Sequence, residues 1–322
     1  MQKNYSELHQ RGQYDDVEEG KTLKMKHAIL VMGHGNLSIV EKYMQILDDE
    51  RFDFYIHIDK KSADDGRYLA DICKKSRVFF TERIPVYWGH HSQTQTEMIL
   101  LKEAYNSNRG YDYYHLISSV DMPLMTPGEM DDFFRKGRGK EFVLLFNGEA
   151  DWRMHYRYPF IIKYKRSKYE VISKVKKAVI SRVLRFKRYP GTDIVRDKGW
   201  KVYAGDAWWS LTNDFVKTLV ESADEMLKYW LDCYVSDECY VATMIMHTPG
   251  YSEKLAKSTT REIDWQRGFP YTWGTEECDF KLLEKSTAVF ARKFSPDKMD
   301  IVNRLYNELM RRKRNEEELN DI

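Results

Sequence analysis

Residues 26–33 read KHAILVMG, an apolar run that ends in a glycine and is followed by His34 and Gly35. This composition predicts a buried β-strand. The next stretch, LSIVEKYMQILDD, repeats its apolar residues at a spacing of three to four, which predicts a helix. A second apolar run, FDFYIHID at residues 52–59, predicts the next strand. The chain therefore alternates strand and helix from residue 26 onward.

The same alternation continues to about residue 147. Further strands are predicted for RVFFTE, YDYYHLISS and EFVLLFN, and further helices for RYLADICKK, QTQTEMILLKEAYNS and TPGEMDDFFRK. In the last of these helices Thr126 is the predicted N-cap and Pro127 the first helical residue. Strands that alternate with helices indicate βαβ units and a mainly parallel sheet. The predicted fold is α/β, with residues 26–147 as a nucleotide-binding, Rossmann-like half.

In such a sheet, ligands gather at the carboxyl ends of the strands. Those ends carry the Gly33-His34-Gly35 turn, the Asp59-Lys60 pair and Asp121. Glycine lets a backbone approach a ligand closely, but it equally makes a tight turn between a strand and a helix. Because no GxGxxG pattern is present, both interpretations of the glycines remain open.

The composition is that of a globular protein with a substantial core. The chain has 322 residues, of which 42% are apolar and 32% charged, and a net charge of +2. The aromatic share of 14% suits sugar-like ligands and an ordinary core equally well. The four cysteines form no CxxC pair, which argues against a structural zinc site or a disulfide framework and fits a reducing compartment.

Two segments bear on location. Residues 1–25 form a polar tail without the apolar region of a secretory signal, so we predict a cytoplasmic protein. Residues 161–201 are strongly basic, and one predicted helical face there carries Val171, Val175, Val179 and Val183. A basic amphipathic helix suits the surface of an anionic membrane, or a solvated lid that packs on the core. No nucleic-acid-binding motif accompanies the charge.

The second half of the chain is predicted to span residues 148–300, followed by a charged C-terminal helix at 301–322 whose end frays. Within it, FARKF places Arg292 and Lys293 between two phenylalanines at a predicted strand end. Paired cations there suit a diphosphate, since arginine can form bidentate hydrogen bonds to two phosphate oxygens while lysine supplies a point charge. A surface salt bridge explains the pair as well.

Six motifs occur in a fixed order over residues 54–294: FYIHIDKKS, VYWGHHSQTQTEMILLKEAY, YYHLISSVDMPL, GDAWWSLT, SDECYVATMI and FARKF. This set resembles glycosyltransferase family 14, the core-2/I-branching β-1,6-N-acetylglucosaminyltransferases, to which the peptide O-xylosyltransferases are related. The resemblance covers residues 26–300. It implies a GT-A-like, Rossmann-related fold, a UDP-sugar donor and an inverting transfer to a hydroxyl group.

The resemblance also implies a catalytic base, a glutamate in the motif that here reads SDECYVATMI, and so places that role on Glu238. Ser236 is also a fair N-cap, and acids in the first turn of a helix favour its dipole by about 0.3–1 kcal/mol each. A helix needs one acid near its start, but not two. We therefore assign Asp237 to the helix and Glu238 to catalysis.

Members of the family resemble one another in working without metal, and basic side chains neutralise the departing UDP instead. This implies a diphosphate-binding role for Arg292 and Lys293. A second upstream arginine contributes in the branching enzymes, and Arg261 and Arg267 are the candidates here. Thr275 matches a serine that contacts the donor in the xylosyltransferases. The resemblance therefore implies no metal and no other cofactor.

For the nucleoside and the sugar, the resemblance implies residues at the strand ends and in two motifs, VYWG and GDAWWSL. They are Met32, Gly33, His34, Asp59, Val86, Tyr87, Trp88, Asp121, Ala207 and Trp208. Two interpretations of Asp59 remain open: a hydrogen bond to the ribose or the uracil, or a role as a turn residue. Likewise, Trp208 or Trp209 could stack on a sugar face or could belong to the core. The stretch EADWRMHYRYPF parallels one that grips the acceptor in the branching enzymes, which implicates Glu149, Asp151 and Arg157.

The predicted function is a metal-independent, inverting transfer of N-acetylglucosamine or xylose from a UDP-sugar to an acceptor hydroxyl. The acceptor is a glycan, a lipid-linked sugar or another hydroxyl compound, and the basic segment suggests work at the inner membrane face. The alternative is a non-catalytic sugar-nucleotide-binding or membrane-surface adaptor protein that retains the fold. A nucleotide hydrolase is disfavoured, because the sequence has no P-loop or metal motif.

Overall fold

The structure is a computed structural model that describes residues 24–148, 150–155, 157, 191–257 and 260–320, together with positions 171, 172, 174, 175, 178, 179 and 182. Glu149 and much of the predicted basic segment, including Val183, lie outside the described residues. Among the described helices, none combines the length and the apolar character needed to cross a bilayer.

The central sheet is built from the apolar runs found in the sequence. Its strands are β1 (His27–Gly33), β2 (Phe52–Ile58), β3 (Val78–Phe80), β4 (Tyr113–Ser118) and β6 (Ser210–Thr212). They lie in the order β3-β2-β1-β4-β6, and all neighbours are parallel except β6, which is antiparallel to β4. β2 and β4 are buried at every position, as expected of a parallel sheet covered on both faces. The predicted mainly parallel α/β sheet is confirmed.

A smaller sheet and the helices complete the fold. The sheet has the order β5-β8-β7, from β5 (Asp121–Pro123), β7 (Arg261–Ile263) and β8 (Phe290–Arg292). The helices are α1 (Ser38–Ile46), α2 (Ser92–Asn106), α3 (Pro127–Lys136), α4 (Trp152–His155), α5 (Ile194–Lys198), α6 (Asn213–Trp230), α7 (Tyr240–His247), α8 (Asp279–Lys285) and α9 (Met299–Asn320). Short 3-10 turns occupy Arg67–Asp71, Ser236–Glu238 and Ser252–Lys254.

The two faces of the central sheet support separate hydrophobic clusters. Successive β1 side chains alternate between them, since Ile29 and Val31 join one cluster while Ala28 and Leu30 join the other. The first cluster is closed by α1 and α9, and the second by α2 and α6. Both clusters contain residues from either side of position 148, so the packing joins the two predicted halves.

The start of α3 confirms one local prediction in detail. Thr126 is the N-cap, and Pro127 is the first helical residue. The Thr126 hydroxyl accepts the backbone N–H of Glu129, whose carboxylate in turn accepts the Thr126 N–H. This reciprocal capping box satisfies two backbone donors that a helix otherwise leaves without a partner.

Two predicted elements are corrected. EFVLLFN is not a strand, because Glu141, Phe142 and Leu145 make isolated bridges to three separate segments and no single partner strand runs beside them. RYLADICKK forms only the 3-10 turn Arg67–Asp71 rather than a full helix. The backbone N–H groups that follow it, at residues 74–76, are donated to the Asp48 carboxylate, which replaces the helical hydrogen bonds.

The end of α9 is also more firmly held than the charge run predicts. Lys313 is buried and its ammonium donates to the backbone oxygens of Ile46 at 3.0 Å and Asp48 at 2.7 Å. These carbonyls lie at the C-terminal end of α1, where a cation is favoured. Arg312 contacts the Glu129 carboxylate. The predicted fraying is therefore wrong for these two residues, because their charges are used in tertiary contacts.

Candidate active site

A cavity of about 520 Å³ opens at the carboxyl ends of β1, β2 and β4. This volume falls in the range of small-molecule sites. Many of the predicted donor-binding residues line it: Met32, Gly33, His34, Asp59, Val86, Tyr87, Trp88 and Trp208, together with Arg292. Four further lining residues were not among the predicted donor-binding residues: His57, Lys61, Gln93 and Ser118.

Arg292 is fixed at the cavity wall by three contacts. Its Nη1 lies 2.8 Å from Asp121 Oδ1 and 2.9 Å from Ser118 Oγ, and its guanidinium stacks over the Trp208 ring at 4.2 Å. Asp121 is buried and also accepts the backbone N–H of Ser118 at 2.6 Å. Asp121, predicted to contact the donor, is not among the lining residues and instead orients the arginine.

His34, at this end of the cavity, lies within the influence of three cations and one carboxylate. Burial lowers the pKa of His34, and the charges of Arg292, Lys293 and Lys61 lower it further, against the opposing effect of Asp59. The imidazole is therefore neutral at neutral pH. Three cations that act on one side chain form a suitable environment for a polyanionic group such as a diphosphate.

Asp59 acts as a local organiser of the cavity wall. Its Oδ1 accepts the backbone N–H groups of Lys61 at 3.0 Å and Val86 at 3.2 Å, and its Oδ2 lies 3.1 Å from the Lys61 ammonium. The ammonium in turn sits 4.2 Å from the centre of the Tyr87 ring. Asp59 is thus a turn residue and also lines the cavity, so the two interpretations of this residue are compatible.

His57 is a neutral support beneath the same loop. Its Nε2 accepts the backbone N–H of Ile84 at 3.0 Å, and burial lowers its pKa to about 4. The hydrogen bond ties the loop that carries Val86, Tyr87 and Trp88 to the end of β2. The predicted donor-binding residues of that loop therefore depend on a partner in the sheet.

Glu238 lies in the 3-10 turn Ser236–Glu238, not in the first turn of a helix. Its Oε2 is 3.0 Å from Arg153 Nη1, and its side chain is one-third exposed. Its backbone oxygen accepts the N–H of Gly205 at 2.7 Å, which joins the turn to the loop that carries Trp208. The carboxylate is thus both oriented by a cation and open to solvent.

The predicted helix start at Ser236 is wrong. α7 begins at Tyr240, and the Ser236 hydroxyl pairs with Thr94 Oγ1 at 2.7 Å instead of capping a helix. Asp237 is buried, and its Oδ2 accepts the Gln93 amide at 2.8 Å. Val235 adopts a left-handed conformation with φ of 54°, which separates the turn from the preceding chain. Asp237 therefore anchors the turn to α2.

Two buried acids lie behind Glu238. Burial, together with a smaller contribution from the charge of Glu238, raises the pKa of Asp237 to about 7. Burial also raises the pKa of Glu97 well above its ordinary value, with a smaller contribution from Asp237. Glu97 and Gln93 lie four residues apart on α2 and so share one helical face. Both residues belong to the motif VYWGHHSQTQTEMILLKEAY. Their spacing of four residues could have indicated from the sequence that they act together.

Of the predicted diphosphate-binding residues, Lys293 is not among the lining residues although its charge acts on His34, and three others lie away from the cavity wall. Arg261 is buried, donates to the backbone oxygens of Leu116 and Trp209, and has its pKa lowered by burial to about 10. Arg267 pairs with Asp264 and Asp279. Thr275 contacts the hydroxyl of Tyr271. Their polar groups are used within the fold, and none of the three lines the cavity.

The loop that carries Trp208 contains a further buried acid. Burial raises the pKa of Asp206 to about 6, against the lowering effects of Arg292 and Arg261. Its Oδ2 is buried and finds no hydrogen-bond partner among the residues that the structure describes. Ala207, predicted to contact the donor, is buried beside it. Trp209 belongs to the core, whereas Trp208 faces the cavity.

The predicted acceptor-binding residues give no convergent site. Glu149 lies outside the described residues. Asp151 Oδ1 accepts the backbone N–H of Val202 at 2.7 Å. The Arg157 guanidinium donates to backbone oxygens, with Tyr229 at 3.0 Å. The residue of this stretch that does reach the site is Arg153, which sequence reasoning did not single out, although it lies between Asp151 and Arg157.

One group of potential metal ligands occurs in the described part of the chain. The ligand atoms of His90, His91 and Asp232 lie within 4.8 Å of one another. However, His90 Nδ1 accepts the backbone N–H of Ser92 at 3.1 Å, and His91 Nδ1 accepts that of Asp232 at 2.9 Å. A metal-binding imidazole usually donates from its second nitrogen. The arrangement fits hydrogen-bonded histidines better than a metal site.

Comparisons with known proteins agree with the motif analysis. The Core-2/I-Branching enzyme family model matches residues 28–287. Xylosyltransferase 2 of Canis lupus familiaris is 22% identical over 268 residues, 79% of this chain and 29% of that protein. Xylosyltransferase 2 of Rattus norvegicus is 23% identical over 256 residues, 77% of this chain and 27% of that protein. The chain thus spans less than a third of the length of these curated relatives.

A solved structure, the apo form of mouse xyloside xylosyltransferase 1, aligns with 85% of this chain and 99% of its own, with 11% identity and a TM-score of 0.38. The family assignment rests on the family model, which covers well over half of the chain and contains all the recognised motifs except FARKF. The predicted resemblance and the GT-A-like α/β fold are confirmed. The chain belongs to the Core-2/I-Branching enzyme family, a family of glycosyltransferases.

Proposed function

We propose that this protein transfers a sugar, N-acetylglucosamine or xylose, from a UDP-sugar to an acceptor hydroxyl with inversion and without a metal. One observation carries the proposal: the cavity wall holds an oriented cation and also a residue bonded to the neighbour of Glu238, although Glu238 itself is not among the lining residues. Arg292 lines the cavity, and so does Gln93, whose amide binds Asp237 next to Glu238. A cation for the leaving group and a base for the acceptor are the two groups that this reaction needs.

In the proposed mechanism, Glu238 accepts the proton of the acceptor hydroxyl as that oxygen attacks the anomeric carbon. The bond from that carbon to the UDP oxygen breaks on the opposite face, and UDP leaves with the bonding electrons. Arg292 and Lys293 neutralise the diphosphate charge that develops. One carboxylate suffices, because the displacement is direct and the protein forms no covalent bond to the sugar.

Arg153 has a defined part in this proposal. It holds Glu238 Oε2 at 3.0 Å, which orients the carboxylate that accepts the proton in this proposal. The same guanidinium lies 3.4 Å from the Val235 oxygen and 3.3 Å from Cys239 Sγ. It therefore spans both sides of the 3-10 turn.

A screen of UDP-sugars tests the proposal. Thermal stabilisation by UDP and by UDP-N-acetylglucosamine or UDP-xylose is expected, followed by UDP release when acceptors are added. Activity should persist in excess EDTA. Strict dependence on a divalent ion would contradict the metal-independent mechanism, and preference for another class of nucleotide would contradict the donor.

The second candidate, a sugar-nucleotide-binding protein without catalysis, predicts the same stabilisation but no UDP release with any acceptor. The pairing of Glu238 with Arg153 favours the enzyme, since nucleotide binding alone requires no oriented base. Measuring both stabilisation and release separates the two candidates.

We also propose peripheral contact with the inner membrane face. Val171, Val175 and Val179 are exposed on their helix, in a segment rich in lysine and arginine. Such a face can enter the interface of an anionic bilayer. Flotation with liposomes that contain phosphatidylglycerol tests this, and a protein that stays unbound at low salt would contradict it.

A further inference from the structure

Three aromatic side chains form a continuous ledge beside the cavity. The Tyr234 ring centre lies 6.2 Å from that of Trp88 and 6.3 Å from that of Trp152. Trp88 is 47% exposed and Trp152 is 45% exposed. Tryptophan is highly buried on average, so two neighbouring indoles with nearly half of their surface in water are unusual. Trp88, Tyr234 and Trp152 are called the aromatic ledge below.

The aromatic ledge connects the cavity with the carboxylate. Trp88 lines the cavity at one end. At the other end, Trp152 directly precedes Arg153, whose Nη1 is 3.0 Å from Glu238 Oε2. Tyr234 stands between the two indoles and lies four positions before Glu238 in the sequence. The aromatic ledge therefore borders the cavity at one end and the residue that holds Glu238 at the other.

The backbone around the ledge is arranged to bring its two sides together. Gly89 has φ of +69°, and a side chain there would lie 3.3 Å from the Tyr234 ring. The Gly89 oxygen also accepts the backbone N–H of Val235 at 3.1 Å. The turn that carries Trp88 is thus tied directly to the segment that carries Tyr234. The ring contacts follow from this fixed geometry rather than from chance proximity of mobile side chains.

We infer that the aromatic ledge binds the acceptor and that the acceptor is a saccharide, an inference that rests on the proposed function. A pyranose has an apolar face of C–H bonds and a rim of hydroxyl groups. Flat aromatic rings can bury the C–H face, while the hydroxyl groups stay in water or bond to polar neighbours. Gln93 and Arg153 supply such neighbours at the two ends. Stacking there would hold one hydroxyl toward Glu238.

A peptide acceptor fits the ledge less well. Extended peptides usually add to an exposed strand edge and form main-chain hydrogen bonds. Trp88 lies in a turn, Trp152 in a four-residue helix and Tyr234 beside the left-handed Val235. In the described part of the ledge no strand runs beside the rings. Ring faces, not backbone groups, are what this surface offers.

Ligand-observed NMR on the UDP-loaded protein tests the inference. The probes are the methyl glycosides of galactose, mannose, xylose and N-acetylglucosamine, with a short serine-containing peptide as the competing class. Saturation transfer is expected to at least one glycoside through its C–H face. Trp152→Ala should abolish it, Trp152→Phe should retain it, and Tyr68→Ala, which removes another exposed aromatic ring, should leave it unchanged.

Calorimetry with UDP keeps the two hypotheses apart. Trp152→Ala should bind UDP as the wild type does, which also shows that the variant is folded, while the acceptor KM rises about tenfold with a smaller change in kcat. A wild-type protein that binds no UDP contradicts the proposed function itself. UDP binding with no glycoside signal, with an undiminished signal in Trp152→Ala, or with a signal from the peptide alone overturns the ledge as a saccharide site.

Discussion

Arg292 Nη1 lies 2.8 Å from the carboxylate of Asp121, and the two residues face each other across the antiparallel pair β5 and β8. The carboxylate is buried, whereas the guanidinium reaches the cavity and stacks on Trp208. Asp121 therefore orients the Arg292 guanidinium toward the cavity. In this family member, a single aspartate at the strand end holds an arginine in place.

Asp121→Asn tests this orientation. The variant keeps the shape of the side chain but removes its charge, so Arg292 loses the partner that directs it. We expect weaker UDP binding by calorimetry, and a free energy of unfolding lower by about 3 kcal/mol in urea titrations. The control is Asp224→Asn, which breaks the exposed pair with Lys102. That change should cost less than about 1 kcal/mol. Equal UDP affinity in wild type and Asp121→Asn would contradict the assigned role.

Removal of Arg153 should affect turnover more than donor binding. Arg153→Met takes away the group that holds Glu238 Oε2, while the lining of the cavity stays intact. We expect kcat to fall about tenfold or more, with UDP affinity within about twofold of wild type, because a misplaced base loses efficiency. Arg153→Lys should recover part of kcat, since lysine restores the positive charge but not the bidentate geometry of the guanidinium. Full activity of Arg153→Met would remove Arg153 from the site.

Asp237 should make stability depend on pH. Its pKa is raised to about 7 in the folded protein by burial, and is about 3.9 in an unfolded chain. Between these values the folded state holds a proton that the unfolded state has released, so stability falls as pH rises toward 7 and is then constant. The limiting slope is about 1.4 kcal/mol per pH unit.

Asp237→Asn removes this titration and keeps an oxygen for the Gln93 amide. Urea unfolding at pH 5, 7 and 8.5 should therefore show a flatter profile for the variant, with its largest gain over wild type at pH 8.5. Glu97 titrates in the same direction and remains in both proteins. Identical slopes for the two proteins would show that Asp237 is already ionised at pH 5.

Gly89→Ala should disturb the junction between the cavity loop and the Glu238 segment. An added methyl group would lie 3.3 Å from the Tyr234 ring, on a backbone with positive φ. We expect destabilisation of about 1 kcal/mol or more and a raised acceptor KM. Gly110→Ala is the matched control, because its φ is also positive but nothing lies within 4 Å. Equal effects of both changes on KM would indicate backbone strain alone.

The sequence was sufficient for the parts of the site that a strand end defines. Gly33, His34 and Asp59 follow apolar runs, and parallel strands bring their carboxyl ends to one edge, so these residues line a common cavity. The same logic succeeded for Thr126, because a helix cap is a local feature. Local pattern and tertiary position agree in these cases.

Other parts depend on contacts that no local pattern encodes. Arg153 and Glu238 are 85 residues apart, and only the folded chain brings them together. Arg261 and Arg292 look alike in sequence, yet one guanidinium is consumed by backbone oxygens and the other faces the cavity. Ser236 has the chemistry of a helix cap, but its hydroxyl finds Thr94 instead. Which partner a polar group takes was therefore open until the fold was known.

The central claim, that Glu238 is the base and Arg292 the cation of one transfer site, is tested most directly by a matched pair of variants. Single-turnover transfer and UDP affinity are measured for Glu238→Gln and Arg292→Gln. Glu238→Gln should lose about 10²–10⁴-fold in rate with UDP affinity nearly unchanged, while Arg292→Gln should lose UDP affinity as well. Wild-type turnover by Glu238→Gln would contradict the account.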